Sequence, residues 1–161
     1  RVGEKMAEAA HELLMNAMYD APVDADGKVK YAMDRRQDVR LEGRDVPTLR
    51  VASDGLHVAL EATDAFGLLE RRRMFGAIQR GLESQETGEG VLDTSHGGAG
   101  LGMLRLYTSA AALLADVEYG ARTRVTWVYD LDLPAREQRH LPTSVHFFEQ
   151  LPSNGKGNAD D

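Results

Sequence analysis

A glycine cluster, Gly97-Gly98-Ala99-Gly100-Leu101-Gly102-Met103, opens into an alanine- and leucine-rich run that continues through Leu114. Glycines let the backbone take φ > 0 and come close to a ligand, and a helix starting there offers unpaired N–H groups and a partial positive charge to an anion. Cradling a phosphate is the chemistry this spacing suits, although a plain loop ending at a helix start is spelled the same way. Glu12 and Asn16 lie four residues apart in a helical stretch, so they share one face, with Asp20 a further turn along. A carboxylate beside an amide oxygen could hold magnesium and orient a water against phosphate, or form an ordinary solvated helix edge. Asp64 ends a strand on its core-facing parity. A carboxylate there needs donors, and both the exocyclic amine of adenine and the backbone N–H groups of a following turn qualify. His57, His96, His140 and His146 have no metal-binding spacing, and His11, directly before Glu12, reads as packing or helix surface.

The elements that position these residues follow from periodicity. Met6, Ala10, Leu13, Leu14 and Ala17 predict a first helix from Glu4 to Tyr19, with no breaker before Pro22. Residues 20–47, punctuated by Pro22, Gly27, Gly43 and Pro47, read as a long loop with at most a short edge element. Thr48 to Ser53 and Leu56 to Asp64 flank Asp54-Gly55, a favoured two-residue hairpin turn. That register sets Val51 opposite Val58 and Leu49 opposite Leu60, and gives Leu56, Val58, Leu60, Ala62 and Asp64 one face. A helix from Leu69 to Leu82 carries Arg71, Arg72 and Arg73, followed by a mobile polar stretch from Gln85 to Gly90. Another helix spans Met103 to Leu114. Strands are expected at Val117 to Tyr119, Thr123 to Leu133 and Thr143 to Phe148, with Thr123 on the parity of Val125, Trp127 and Tyr129. No internal repeat is visible. The order implies an α+β two-layer α/β sandwich, one domain over residues 1–152 with a disordered polar tail over 153–161.

Composition narrows the function classes. The 161 residues are 42% hydrophobic and 28% charged, enough for one domain with a core. A formal charge of −7 argues against a nucleic-acid or anionic-membrane surface. The absence of cysteine excludes a disulfide framework and cysteine-ligated zinc. No apolar run is long enough for a membrane span and no signal-peptide pattern is present, so a cytoplasmic location is expected. The chain begins at Arg1 inside a helical pattern, which suggests a piece of a longer protein.

Taken in order, these residues resemble the ATP-binding domain of the GHKL superfamily, the Bergerat fold of histidine-kinase catalytic domains, anti-sigma-factor kinases, gyrase-type topoisomerases and chaperone ATPases. The resemblance runs from about residue 4 to 134. Glu12-Leu13-Leu14-Met15-Asn16-Ala17 is similar to the family's asparagine box, which implies that Asn16 binds Mg2+ and that Glu12 activates a water or an acceptor hydroxyl. Asp64-Ala65-Phe66-Gly67 resembles the first glycine box, implying that Asp64 reads the adenine amine with Gly67 beside it. Gly98-Ala99-Gly100-Leu101-Gly102 matches the second, whose Gly98, Gly100, Leu101 and Gly102 would wrap the phosphates. Gly120-Ala121-Arg122-Thr123 and the alternation through Leu133-Pro134 resemble the closing strand, in which Thr123 supports the adenine-binding Asp. Residues 68–96 would be the ATP lid, and the sheet would be mixed and largely antiparallel with helices on one face.

The sequence also departs from that pattern. Phe66 and Leu68 stand where the family usually has glycines, so the turn after Asp64 is expected to be stiffer and more apolar. Tyr19 occupies a position where histidine kinases often carry Lys or Arg, a role the lid arginines could fill. Two functions are therefore expected. One is an ATP- and Mg2+-dependent domain supporting protein phosphorylation, its acceptor on a signalling partner or a fused domain upstream of Arg1. The other is a non-catalytic module that docks to such a partner. ATP or ADP is the expected ligand, with neither nucleic acid nor membrane as a partner.

Overall fold

The computed structural model describes residues 2–31, 38–87, 99–138 and 140–150. Among these residues five strands form one sheet in the order β1-β2-β4-β3-β5. They are β1 (Thr48–Ser53), β2 (His57–Asp64), β3 (Ala112–Glu118), β4 (Arg122–Asp130) and β5 (Ser144–Gln150). β1 with β2, β2 with β4, and β3 with β4 are antiparallel, while β3 and β5 run parallel. Among the described residues four α-helices accompany them: α1 (Val2–Met15), α2 (Arg71–Thr87), α3 (Ala99–Ser109) and the single turn α4 (Ala135–Gln138). The protein is an α+β fold with a mixed, largely antiparallel sheet.

Alternation decides which sheet face is covered. Leu60, Leu113, Ala115, Val117 and Trp127 are all 2% exposed or less. All but Val117 meet Ala9 and Leu13 of α1, Met74, Ala77 and Ile78 of α2, and Met103 and Leu106 of α3 in one apolar cluster. The buried Trp127 indole N–H, which needs a partner, donates to Ser109 Oγ at 3.1 Å. The opposite face carries Glu61, Asp116, Arg124 and Thr126, with Asp116 and Arg124 ion-paired across β3 and β4.

The first helix continues past Met15 as a π-helical turn, Asn16–Asp20. One extra residue per turn rotates side chains from their α-helical positions, and such insertions recur at functional sites. The hairpin is present but its register differs from the expected one. Val51 pairs with Leu60 and Leu49 with Ala62, and Ser53 with Val58 closes a four-residue loop. Asp54 explains the extra length. Its Oδ1 accepts the N–H groups of Leu56 and His57 at 2.9 and 2.6 Å, holding its carboxyl at about pKa 2, and Gly55 sits at φ +89°. A slip of two leaves every strand residue on its expected face. Leu56 is the exception, lying in the loop at 55% exposure.

The apolar run after the glycine cluster is not one helix. α3 stops at Ser109 and β3 begins at Ala112, because Leu113, Ala115 and Val117 alternate and fill the sheet core. The expected strand at Val117 to Tyr119 is thus only the end of a seven-residue strand. β4 ends at Asp130 rather than Leu133, where Asp130 Oδ1 accepts the N–H groups of Asp132 and Leu133 in a turn. α2 starts two residues later than expected and reaches Thr87. Its Met74, Ala77 and Ile78 are buried, so the first half of the segment read as a lid is a core helix. A Cβ on Gly81 would lie 2.7 Å from Leu104, a measure of how tightly α2 packs on α3. Gly97, Gly98 and the rest of residues 88–98, and the tail from 151 on, lie outside the described residues.

Candidate functional site

A cavity of about 110 Å³ opens between the ends of β2 and β4, the π turn after α1, and helices α2 and α3. That is somewhat smaller than an engineered apolar cavity of roughly 150 Å³ that takes benzene, and it opens to the surface. Most of the wall is apolar, from Leu13, Ala62, Leu69, Met74, Met103 and Val125. The polar groups on it come from distant parts of the chain: Asn16 and Asp20 from the π turn, Asp64 from β2, Thr123 from β4, and Arg73 and Arg80 from α2.

Asp64 and Thr123 are direct partners across the β2–β4 ladder. Asp64 Oδ1 accepts the Phe66 N–H at 2.9 Å and the Gly67 N–H at 3.3 Å. Burial nevertheless raises its pKa above the usual carboxylate value, opposed by those two N–H groups and by Thr123. The Thr123 hydroxyl, on a residue 3% exposed, lies near the carboxylate but is not aligned for a hydrogen bond with any described group. A half-buried carboxylate with two backbone donors thus stands beside a buried hydroxyl that has no hydrogen-bond partner among the described residues, and both can take part in further hydrogen bonds.

Gly67 plays a part other than lining the cavity. It sits at φ +63°, and a Cβ there would come within 2.1 Å of the Glu118 carbonyl oxygen. Its carbonyl accepts the Gly120 N–H at 3.2 Å, so the turn after Asp64 is pressed against the β3–β4 turn. Phe66 beside it is 3% exposed, whereas Leu68 is 42% exposed and lines the cavity.

Glu12 and Asn16 divide. Asn16 faces the cavity, but Glu12 lies one turn behind it, with its carboxylate against α3. Glu12 is 7% exposed, and its Oε1 accepts from Arg105 Nη1 at 2.7 Å. A Cβ on Gly102 would lie 2.5 Å from Glu12 Oε2 and 3.8 Å from Asn16 Oδ1. Gly102 is therefore the point where α3 makes room for α1. Leu101 and Gly100 stand in the first turn of α3, and Gly98 lies outside the described residues. Of the three successive arginines that open α2, Arg73 lines the cavity and Arg71 is ion-paired with Glu149 on β5.

No protein-family model, curated protein or solved structure matches this chain.

Three residues of the site escape the sequence pattern. Arg80 is seven residues from Arg73, two helical turns, and that periodicity could have placed both on one face. Arg105 follows Gly102 by three, a spacing that puts it on the side of α3 facing Glu12. Arg44 carries no local signal. It reaches the site from a 3₁₀ turn, Gly43–Asp45, within the long loop, and its position is set by Asp45, which is buried and accepts from Lys30 Nζ at 2.8 Å and from the Tyr31 hydroxyl at 3.0 Å. Among the described residues no group of three or more His, Cys, Asp or Glu could hold a metal ion. A magnesium ion at Asn16 would take its other ligands from phosphate and water, as that ion commonly does.

Proposed function

We propose that this domain binds an adenine nucleotide with magnesium, as a histidine-kinase-like ATPase domain, and supports protein phosphorylation in a signalling protein. The observation carrying this reading is the convergence of Asn16, Asp64 and Thr123 on one apolar cavity walled by the helix that follows the glycine cluster. In it, Asp64 accepts a hydrogen bond from the exocyclic amine and Thr123 supplies a second polar contact, while the apolar wall excludes water from the ring faces. Asn16 offers its amide oxygen to magnesium, which neutralises phosphate charge, and Arg73 and Arg80 provide counter-charge from α2. Glu12 would accept the proton of a water or acceptor hydroxyl.

One observation favours the second reading, a nucleotide-binding or degenerate module that works by docking to a partner. Glu12 is committed to Arg105 and lies outside the cavity wall. Binding and turnover can therefore be lost separately.

A thermal-shift titration with ATP, with and without magnesium, tests the proposal. Ligand at about a hundred times its dissociation constant stabilises the fold by roughly 2.7 kcal/mol. Asn16→Ala should remove most of the magnesium-dependent part of the shift and leave the rest. Failure of both ATP and ADP to move the melt at millimolar concentration refutes the nucleotide reading.

A further inference from the structure

Phe66 occupies the place of a family glycine, and the structure supplies a partner for it. The Arg44 guanidinium carbon lies 4.7 Å from the Phe66 ring centroid. The same guanidinium donates twice to the Ala65 carbonyl, from Nε at 2.8 Å and Nη2 at 2.6 Å, and reaches the Gly120 carbonyl at 3.5 Å. The Ala65 carbonyl and the Phe66 N–H are the two ends of one planar peptide group. Arg44 holds the oxygen end, and Asp64 Oδ1 holds the N–H end at 2.9 Å.

We infer that Arg44 is a positioning residue that aims Asp64, and so sets the cavity's affinity for a base, by clamping the Ala65–Phe66 peptide from outside the sheet. The inference rests on the nucleotide reading above. Because the peptide is rigid, fixing its carbonyl fixes its N–H, and the N–H fixes one carboxylate oxygen of Asp64. A cation on the carbonyl also polarises the group and makes its N–H a stronger donor. Without Arg44 the peptide can rotate about its flanking bonds and take the N–H away from Asp64. Phe66 fits this scheme as the flat surface on which the guanidinium rests, something a glycine could not supply. The stiff turn and the arginine belong together. The neighbouring Asp45, held by Lys30 and Tyr31, anchors the turn that delivers Arg44, so this loop acts on the site without lining it.

The test compares the wild type with Arg44→Met, which keeps an apolar stem over Phe66, and with Arg44→Lys, which keeps one donor. Calorimetric titration with adenosine and with inorganic tripolyphosphate separates base from phosphate affinity. Arg44→Met should weaken adenosine about tenfold or more and leave tripolyphosphate unchanged, with partial recovery in Arg44→Lys. Amide hydrogen exchange in the ligand-free protein should show the Phe66 N–H losing protection in Arg44→Met. Equal loss for both ligands marks a general structural role and overturns the inference. Unchanged adenosine affinity overturns it as well, while leaving the nucleotide reading in place. A wild-type protein that does not bind adenosine overturns both.

Discussion

Gly102 tests how the two halves of the site are coupled. Replacing it with alanine puts a Cβ 2.5 Å from Glu12 Oε2. An ordinary carbon–oxygen contact is about 3.3 Å, so the carboxylate must retreat by roughly 0.8 Å. That movement strains the 2.7 Å bond from Arg105, and the Glu12 side chain, only 10% exposed, has little water to replace it. A hydrogen bond between charged groups contributes about 1.5–3 kcal/mol. The Arg105 side chain is 66% exposed, so the lower part of that range applies and the loss is about 1–2 kcal/mol. Against it stands a helix-propensity gain of about 1 kcal/mol for Ala over Gly. Gly102→Ala alone should then be neutral to about 1 kcal/mol destabilising. With Glu12→Ala already present, the clash is gone and Gly102→Ala should stabilise by about 1 kcal/mol. Urea unfolding followed by the fluorescence of Trp127, the sole tryptophan and fully buried, gives the four stabilities of the cycle. A coupling energy of about 1–2 kcal/mol is expected, and one below about 0.5 kcal/mol would refute the argument that Glu12 is what requires glycine at 102.

Two further outcomes follow from the same geometry. Burial raises the folded pKa of Asp64 above 3.8, so its contribution to stability is fully present below that value and is lost as pH rises through the folded one. Ligand-free Asp64→Asn should therefore gain melting temperature relative to the wild type as pH rises above 3.8, and it should bind adenosine about ten- to a hundredfold more weakly; a difference independent of pH would count against the raised pKa. Gly67→Ala combines φ +63° with backbone atoms at 2.1, 2.8 and 2.9 Å from the new Cβ, so it should cost more than about 4 kcal/mol in denaturant unfolding, and a loss under about 1 kcal/mol would contradict that packing.

Much of the sheet is legible in the sequence because it depends on alternation, which a single chain displays. Val58, Leu60 and Ala62 on β2, and Thr123, Trp127 and Tyr129 on β4, face the core as their parity requires. The hairpin register departs from expectation by two residues because loop length depends on side-chain bonds of Asp54 that propensity does not encode. The run after Gly102 departs for a different reason. Ala and Leu favour helix locally, yet Leu113 and Ala115 complete the middle of a sheet, and burial there overrides propensity.

The site is legible where a residue acts through its own neighbours and hidden where it acts through a fold contact. Asn16 opens the turn that continues α1 and Asp64 ends β2, so helical spacing and strand parity mark each as a candidate. Glu12 is grouped with Asn16 because four residues along a helix share a face, but sharing a face does not mean sharing a ligand. A close approach of α3 at Gly102, together with Arg105 three residues on, draws Glu12 aside. Arg44 is the extreme case, 21 residues from the carbonyl it holds and 76 from the Gly120 carbonyl it reaches. Phe66 is a missing glycine only against the pattern that the sequence resembles, whereas in the fold it is the flat surface under the Arg44 guanidinium. Candidate residues can thus be picked out by pattern, while those that hold them in place are found by tracing each neighbouring peptide to whatever bonds both of its ends.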